Sequence, residues 1–233
     1  MTSSETLSAA LRAATATAHE RAETSTFVED LLAGRSCAGA FTALAVQQLP
    51  IYAALEDILT THYSDHPLLR AVHDPALART NALRHDVTTL LTQGYAGPTT
   101  PETVTRDVDR LLVDATRDYV QRLREEHDAP MLLAHHYVRY LGDLSGGQVI
   151  ARLVARHYAV PQEALTFYRF EQIPALKPYK DGYRRALDTI SLHDRTRALV
   201  LDRAIEAFEL SAALFADLGR AMSERHLAAG VAA

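Results

Sequence analysis

Two groups of residues in this chain have types and spacings that suit chemistry. If residues 7–23 form a helix, positions 12, 16, 19 and 23 share one face, and that face carries Arg12, Ala16, His19 and Glu23. Arg12 and His19 then lie about 10 Å apart along the axis on the same side. Glu23 stands one turn beyond His19, within reach of its ring or of a group bound to it. An imidazole that holds a metal commonly needs a partner for its second ring nitrogen, and a carboxylate at this spacing can supply one. The same four residues also make an ordinary solvated helix face. The second group is residues 137–148, YVRYLGDLSGGQ. Helical apolar spacing runs up to Leu144 and resumes at Val149, with Gly142, Gly146 and Gly147 in the interruption. An interior helix glycine costs roughly 1 kcal/mol relative to alanine, so three cost on the order of 3 kcal/mol. That is a large share of a typical stability of about 5–15 kcal/mol. Close helix packing is one offset, since Gly142 and Gly146 are four apart. Close approach of a flat ligand to a kinked backbone is the other. Ser145 offers the local backbone an alternative hydrogen bond. Asp143 is placed either to pair with Arg139, four residues earlier, or to organise water in a cavity.

Other metal and cofactor motifs are missing. No histidine has glutamate three residues before it, so the di-iron pattern of helical bundles is not met. There is no His-Glu-x-x-His, no Cys-x-x-Cys and no glycine-rich nucleotide loop. His135 and His136 are adjacent and project about 100° apart, so they do not form one chelating face. Cys37 is the single cysteine. It excludes an internal disulfide, suits a reducing, cytoplasmic location, and reads as a small core residue near a helix start.

The elements that must position these residues are helices. Phe41, Leu44, Gln48, Tyr52, Leu55 and Leu59 step by three or four along residues 36–63, with Ser36 as the expected N-cap and Pro50 as an expected kink. Val104, Val108, Leu111, Ala115, Tyr119 and Leu123 predict one helix over residues 100–126. Leu201, Ile205, Phe208, Ala212 and Phe215 predict a C-terminal one. Strand-like alternation is hardly visible. Turn residues cluster at 94–98 and 174–182, as loops inside one domain. The 233 residues, 48% hydrophobic and 23% charged, therefore predict a single all-α domain over 1–233. A net charge of -5 argues against nucleic-acid binding. No secretory signal and no run of about 18 apolar residues is present, so no membrane span is expected.

The run from His136 to Gln148 resembles the distal-helix signature of the haem oxygenases. LRAATATAHERAE near the N-terminus is similar to the proximal segment of that family, and PIYAALE at 50–56, the basic segment at 177–184 and AFELSAALF at 207–215 follow in the family's order. The resemblance covers nearly the whole chain. It implies a multi-helical bundle that holds haem b, at once cofactor and substrate, between a proximal and a kinked distal helix. It implies that His19 is the ligand of the haem iron, with Glu23 on its other ring nitrogen. Gly142 and Gly146, with Ser145 beside them, would let the distal helix lie close over the haem. Asp143 would hold water that delivers protons to the reacting oxygen, supported by Arg139, Tyr140 and Tyr52. Arg12, Lys180 and Arg184 would meet the propionates, Tyr137 would stand near the haem edge, and Phe208 would pack along the buried side of the ring.

The implied reaction is cleavage of haem to biliverdin, iron and carbon monoxide with O2 and reductant. The electron donor would be a ferredoxin or a flavoprotein reductase. A basic patch for an acidic donor is available at residues 117–124, although a solvated helix face is the plainer reading of that stretch. Ala16 stands where some relatives carry a base, which weakens the propionate clamp. Pro178 and Gly182 give the basic segment a loop-like sequence. The C-terminus shows no apolar tail of the membrane-anchored kind, so the chain resembles the soluble, bacterial-type enzymes. A haem carrier would share the axial histidine and basic clamps but would have no use for Asp143 within the glycines. A helical interaction module would leave the glycine cost without a reason.

Overall fold

Helix α1, Leu7–Glu23, starts where the Thr6 side chain accepts the Ala9 N–H. Its buried residues, Leu7, Ala10, Leu11, Thr15, Ala18 and Ala22, recur every three or four positions. That spacing leaves Arg12, Ala16, His19 and Glu23 exposed on the opposite side. The expected bounds of this helix and the observed ones coincide. The computed structural model describes residues 5–93, 104–125 and 127–231, and among them every regular element is helical. The turn cluster expected at 94–98 and the start of the helix expected from Thr100 lie outside the described residues.

Short α2, Thr26–Leu32, leads to the core helix α3, Ala38–His62. This helix starts one residue later than expected: Cys37 holds the N-cap position, and the Ser36 N–H donates to Tyr158 Oη instead. Cys37 is exposed, not part of the core. The helix runs through Pro50. It is the one described helix long and apolar enough to cross a membrane, and most of that stretch is buried by its neighbours. Helix α4, Pro67–Arg70, and α5, Thr80–Thr92, follow, the latter packing on α3.

The continuous apolar period over 100–126 resolves into two helices, α6, Val104–Leu111, and α7, Asp114–Glu125. The cause lies on α3. Buried Gln47 donates from Nε2 to the Leu111 carbonyl at 3.0 Å and accepts the Val113 N–H at 3.0 Å. Asp217 accepts the Ala115 N–H at 3.0 Å. These side chains take over backbone groups that an unbroken ladder would have paired.

Helix α8, Ala129–Gly142, is capped by Asp128, whose carboxylate accepts the Met131 N–H at 2.7 Å. The glycine interruption is not a break. Asp143–Gly147 form one π turn, and the chain continues as α9, Gln148–Tyr158, with helical torsions at Gly142, Asp143 and Gly147. The basic segment, expected as a loop, is helix α10, Leu176–Asp188. Pro178 falls in its first turn, where its missing N–H has no ladder partner to lose. A Cβ at Gly182 would meet only the end of the Arg185 side chain, at 3.8 Å. Helix α11, Asp194–Val231, packs along both α1 and α8. Its deepest positions are Val200, Ala204, Ala207, Ser211, Leu214 and Leu218. The expected stripe, Leu201 through Phe215, is half-buried beside them: Phe208 meets the His19 ring and Phe215 stacks on Phe27.

Candidate active site

The proximal side is built by α1 and α11. His19 Nε2 stands 3.4 Å from Glu23 Oε1, and both side chains are open to solvent, at 48% and 66% exposure. Phe208 approaches the His19 ring edge-on at 5.2 Å. The imidazole is thus oriented by one carboxylate and one aromatic edge, with its second ring nitrogen left for a ligand.

The distal side is built by α8 and the π turn, and here the glycines separate into two kinds. A Cβ at Gly147 would lie 2.8 Å from Tyr168 Cδ1, so that glycine serves close packing. A Cβ at Gly142 or Gly146 would meet nothing within 4 Å. Packing therefore does not account for these two, and their bare backbone suits the flat face of a ligand.

Asp143 lies between them. No ion pair within 4 Å joins it to Arg139 among the described residues. Its Oδ2 accepts the hydroxyl of Tyr52, which comes from α3, 91 residues away. Burial raises the Asp143 carboxyl from 3.8 to about 7, against the Tyr52 hydrogen bond and the charges of Arg139 and Arg79, which lower it. Arg139 is buried with its guanidinium 5.2 Å from the Tyr52 ring centre and 5.1 Å from that of Tyr119. Its Nε and Nη2 have no hydrogen-bond partner, donors that suit ordered water. Tyr140 packs edge-on against Tyr52 and donates to Glu56 Oε1 at 3.0 Å. Glu56 also accepts the N–H groups of Arg79 and Thr80, so it pins the start of α5 to the same network.

The basic groups gather around Tyr137. Arg12 from α1 and Arg184 from α10 both act electrostatically on its hydroxyl, favouring its ionised form against the burial that raises it. Lys180 Nζ donates to Ser145 Oγ at 3.3 Å, bringing α10 to the rim of the π turn. Helix formation over 176–188 makes this possible, because Lys180 and Arg184 are one turn apart on one face. Three cations, a half-open glycine surface and an exposed histidine fit a flat, dianionic, iron-bearing molecule such as haem. A groove of about 830 Å³ between α1–α2 and α11, lined by Arg21, Phe27, Phe215 and Arg220, contains none of these residues.

Residues 5–217 match the family described as heme oxygenase. The chain belongs to the haem oxygenase family. It is similar to the heme oxygenase of Guillardia theta, 30% identical over 218 residues that make up 92% of this chain and 87% of that one. Among solved structures it is similar to the heme oxygenase of Leptospira interrogans, with 31% identity, a TM-score of 0.79, and coverage of 91% of this chain and 98% of that one. It is also similar to heme oxygenase-1 of Synechocystis sp. PCC 6803 in complex with heme, with 28% identity, a TM-score of 0.82, and coverage of 97% and 99%. As a member of the family, the chain is an oxidoreductase that degrades haem, and a carrier role is not favoured.

Sequence reasoning missed the partners that the distal residues need. Tyr119 and His135 share a buried hydrogen bond of 2.9 Å under Arg139. His135 is one turn before Arg139 on the same face, a clue hidden by its failure as a chelator. Tyr119 was visible only as one member of an apolar stripe, yet a buried tyrosine hydroxyl requires a partner. Arg79 is buried over the Phe170 ring at 4.2 Å and donates to the carbonyls of Leu77, Phe167 and Arg169, with no local motif to announce it. The basic stretch on α7 is partly consumed internally, since Arg122 pairs with Glu206 at 2.7 Å and Arg117 donates to the Asp109 carbonyl.

Proposed function

We propose that the chain is a single haem oxygenase domain over residues 1–233 that opens the haem b ring to biliverdin, iron and carbon monoxide, consuming O2 and electrons from a ferredoxin or a flavoprotein reductase. Haem supplies the iron that activates O2 and the ring that is attacked. His19 holds the iron, and Glu23 orients its ring. Arg12, Lys180 and Arg184 hold the propionates, with Tyr137 at that edge and Phe208 against the proximal face. Gly142, Ser145 and Gly146 form the surface under which haem lies. The chain works as a soluble, cytoplasmic enzyme with no role for nucleic acid or membrane.

The observation that carries this reading is Asp143. A carboxyl brought to about 7 exchanges its proton near neutrality, the property a proton-delivering group needs. Tyr52 fixes Oδ2, leaving Oδ1 to pass a proton to water. Arg139 offers buried N–H donors to that water, and Tyr140, tied to Glu56, walls it in. A protein that only stores haem has no use for such a group. Asp143→Ala is expected to bind haem with an unaltered axial ligand and to form no biliverdin under air with reductant. Normal biliverdin formation by that variant would remove the role of Asp143. A wild-type chain whose Soret band persists under the same conditions would be a carrier.

A further inference from the structure

The cations of α10 can clamp haem only if the helix itself is held in place relative to the distal helix. Their side chains provide little of that rigidity, since the Lys180 contact with Ser145 is exposed and long at 3.3 Å. Arg184 pairs with Asp181 of its own helix at 3.1 Å, with both groups 43% exposed, and such surface pairs hold little. The described hydrogen bonds that anchor α10 from elsewhere lie mostly toward its ends. Asp188 accepts the N–H and hydroxyl of Ser8 at 2.8 and 3.0 Å, and Tyr179 donates to Asp74 at 2.7 Å. Between them, Tyr183 and Leu187 are its buried residues.

Tyr183 Oη lies 2.7 Å from His136 Nδ1, in the interior. The two rings are parallel, 6° apart in plane with centres 5.7 Å apart. The His136 ring also packs against that of Tyr140, the residue that meets Tyr52, with centres 4.4 Å apart and planes tilted by 53°. Burial pushes the His136 imidazole down to about 3, so it is neutral at physiological pH, and burial keeps the Tyr183 hydroxyl protonated. A neutral imidazole and a neutral hydroxyl thus share one hydrogen bond, whose direction is set by the imidazole tautomer. His136 precedes Asp143 by seven residues, and Tyr183 lies between Lys180 and Arg184.

We propose that the His136–Tyr183 pair is a latch that sets the position of the Lys180 and Arg184 cations relative to Asp143, and so fixes how haem is turned within its plane. Both are positioning residues: neither is among the groups that meet haem. The inference rests on the haem oxygenase reading above, and its ring-opening consequence is that the latch selects which meso edge is cut.

The test uses the full chain and the variants Tyr183→Phe, His136→Leu and His136→Asn. Soret titrations with haem and with haem dimethyl ester, whose propionates are blocked, measure the contribution of the cations without turnover. Wild type is expected to prefer haem. In Tyr183→Phe and His136→Leu that preference shrinks on the order of tenfold, as expected when an ångström-scale misplacement spoils an oriented contact. His136→Asn, which keeps a polar atom near the place of Nδ1, restores most of it. In turnover with a chemical reductant, Tyr183→Phe is expected to give a mixture of biliverdin isomers where wild type gives one, with KM raised and kcat within about twofold. Unchanged haem preference and unchanged isomer composition in Tyr183→Phe, or His136→Leu behaving as wild type, would overturn the latch. If Tyr183→Phe does not fold, the two His136 variants decide the question. A wild-type chain that binds haem but forms no biliverdin overturns the activity, while the titrations still decide the latch.

Discussion

Three neighbouring glycines should respond to alanine in opposite ways. In free protein, Gly142→Ala and Gly146→Ala add a methyl group where nothing lies within 4 Å, and remove part of a helix penalty of about 1 kcal/mol each. For a chain of this length, about 1 kcal/mol moves Tm by roughly 2–4 °C, so both variants should melt at or slightly above wild type. Gly147→Ala places its Cβ 2.8 Å from Tyr168 Cδ1, whereas carbon contacts settle at about 3.5–4.0 Å. Tyr168 has little room to retreat, since Phe167 lies 4.8 Å and Phe41 6.4 Å from its ring centre. Overpacking of this kind costs about 1–3 kcal/mol, so after the propensity gain Gly147→Ala should be destabilised by up to about 2 kcal/mol. Haem affinity should reverse the order: the added methyl at 142 or 146 meets the ligand face, with a loss of about tenfold, or 1.4 kcal/mol, while Gly147→Ala, if folded, keeps affinity near wild type. The assays are thermal unfolding of the haem-free protein and Soret titration. A lowered haem-free Tm for Gly142→Ala and Gly146→Ala, or wild-type haem affinity in both, would refute the division of the glycines into packing and ligand-facing kinds.

Other perturbations have equally definite outcomes. Because the folded protein holds Asp143 protonated up to about 7 against 3.8 ordinarily, ionisation opposes folding, and stability from this group is present at low pH and lost as pH rises toward 7. At about 1.36 kcal/mol per pH unit the limit is about 4 kcal/mol, and partial solvent access reduces it to about 2 kcal/mol. Asp143→Asn should therefore gain on wild type between pH 5 and pH 8 in urea unfolding, and a pH-independent difference would contradict the raised carboxyl. His19→Ala should leave haem-free stability within about 0.5 kcal/mol, as for other exposed positions, yet change the haem spectrum through loss of the axial ligand; an unchanged spectrum would exclude His19. Gln47→Leu leaves the Leu111 carbonyl and Val113 N–H without partners and should cost about 2–4 kcal/mol, read as a Tm lowered by about 4 °C or more.

How far the sequence disclosed this molecule depended on distance along the chain. The face of α1 was legible because its members are three and four residues apart and one periodicity fixes them all. The division of the glycines was not, since Tyr168, which claims Gly147 and leaves its neighbours free, is 21 residues away and has no pattern linking it there. The break between α6 and α7 was invisible for the same reason: apolar spacing continues through it, and its cause is a glutamine on another helix. In helix α10, Pro178 and Gly182 read as loop residues, yet a first-turn proline and a half-buried glycine with room for a Cβ are both cheap where they fall. Of the distal residues, their types and order were visible, but the pairing that matters, Tyr52 with Asp143, is a product of how α3 and α8 cross.

The π turn also carries an angular consequence. One additional residue within a helical turn rotates everything after it by about 100° relative to an unbroken α-helix. The second half of that helix is engaged: Val154 is buried, and the Tyr158 hydroxyl donates to the Leu31 carbonyl at 2.7 Å and accepts the Ser36 N–H. Straightening the turn would break phase, sending either these anchors or Asp143 to the wrong side. The site and the scaffold are thus bound by a single count of residues. Deletion of one glycine here would not trim a loop but would set two halves of one rod turning against each other.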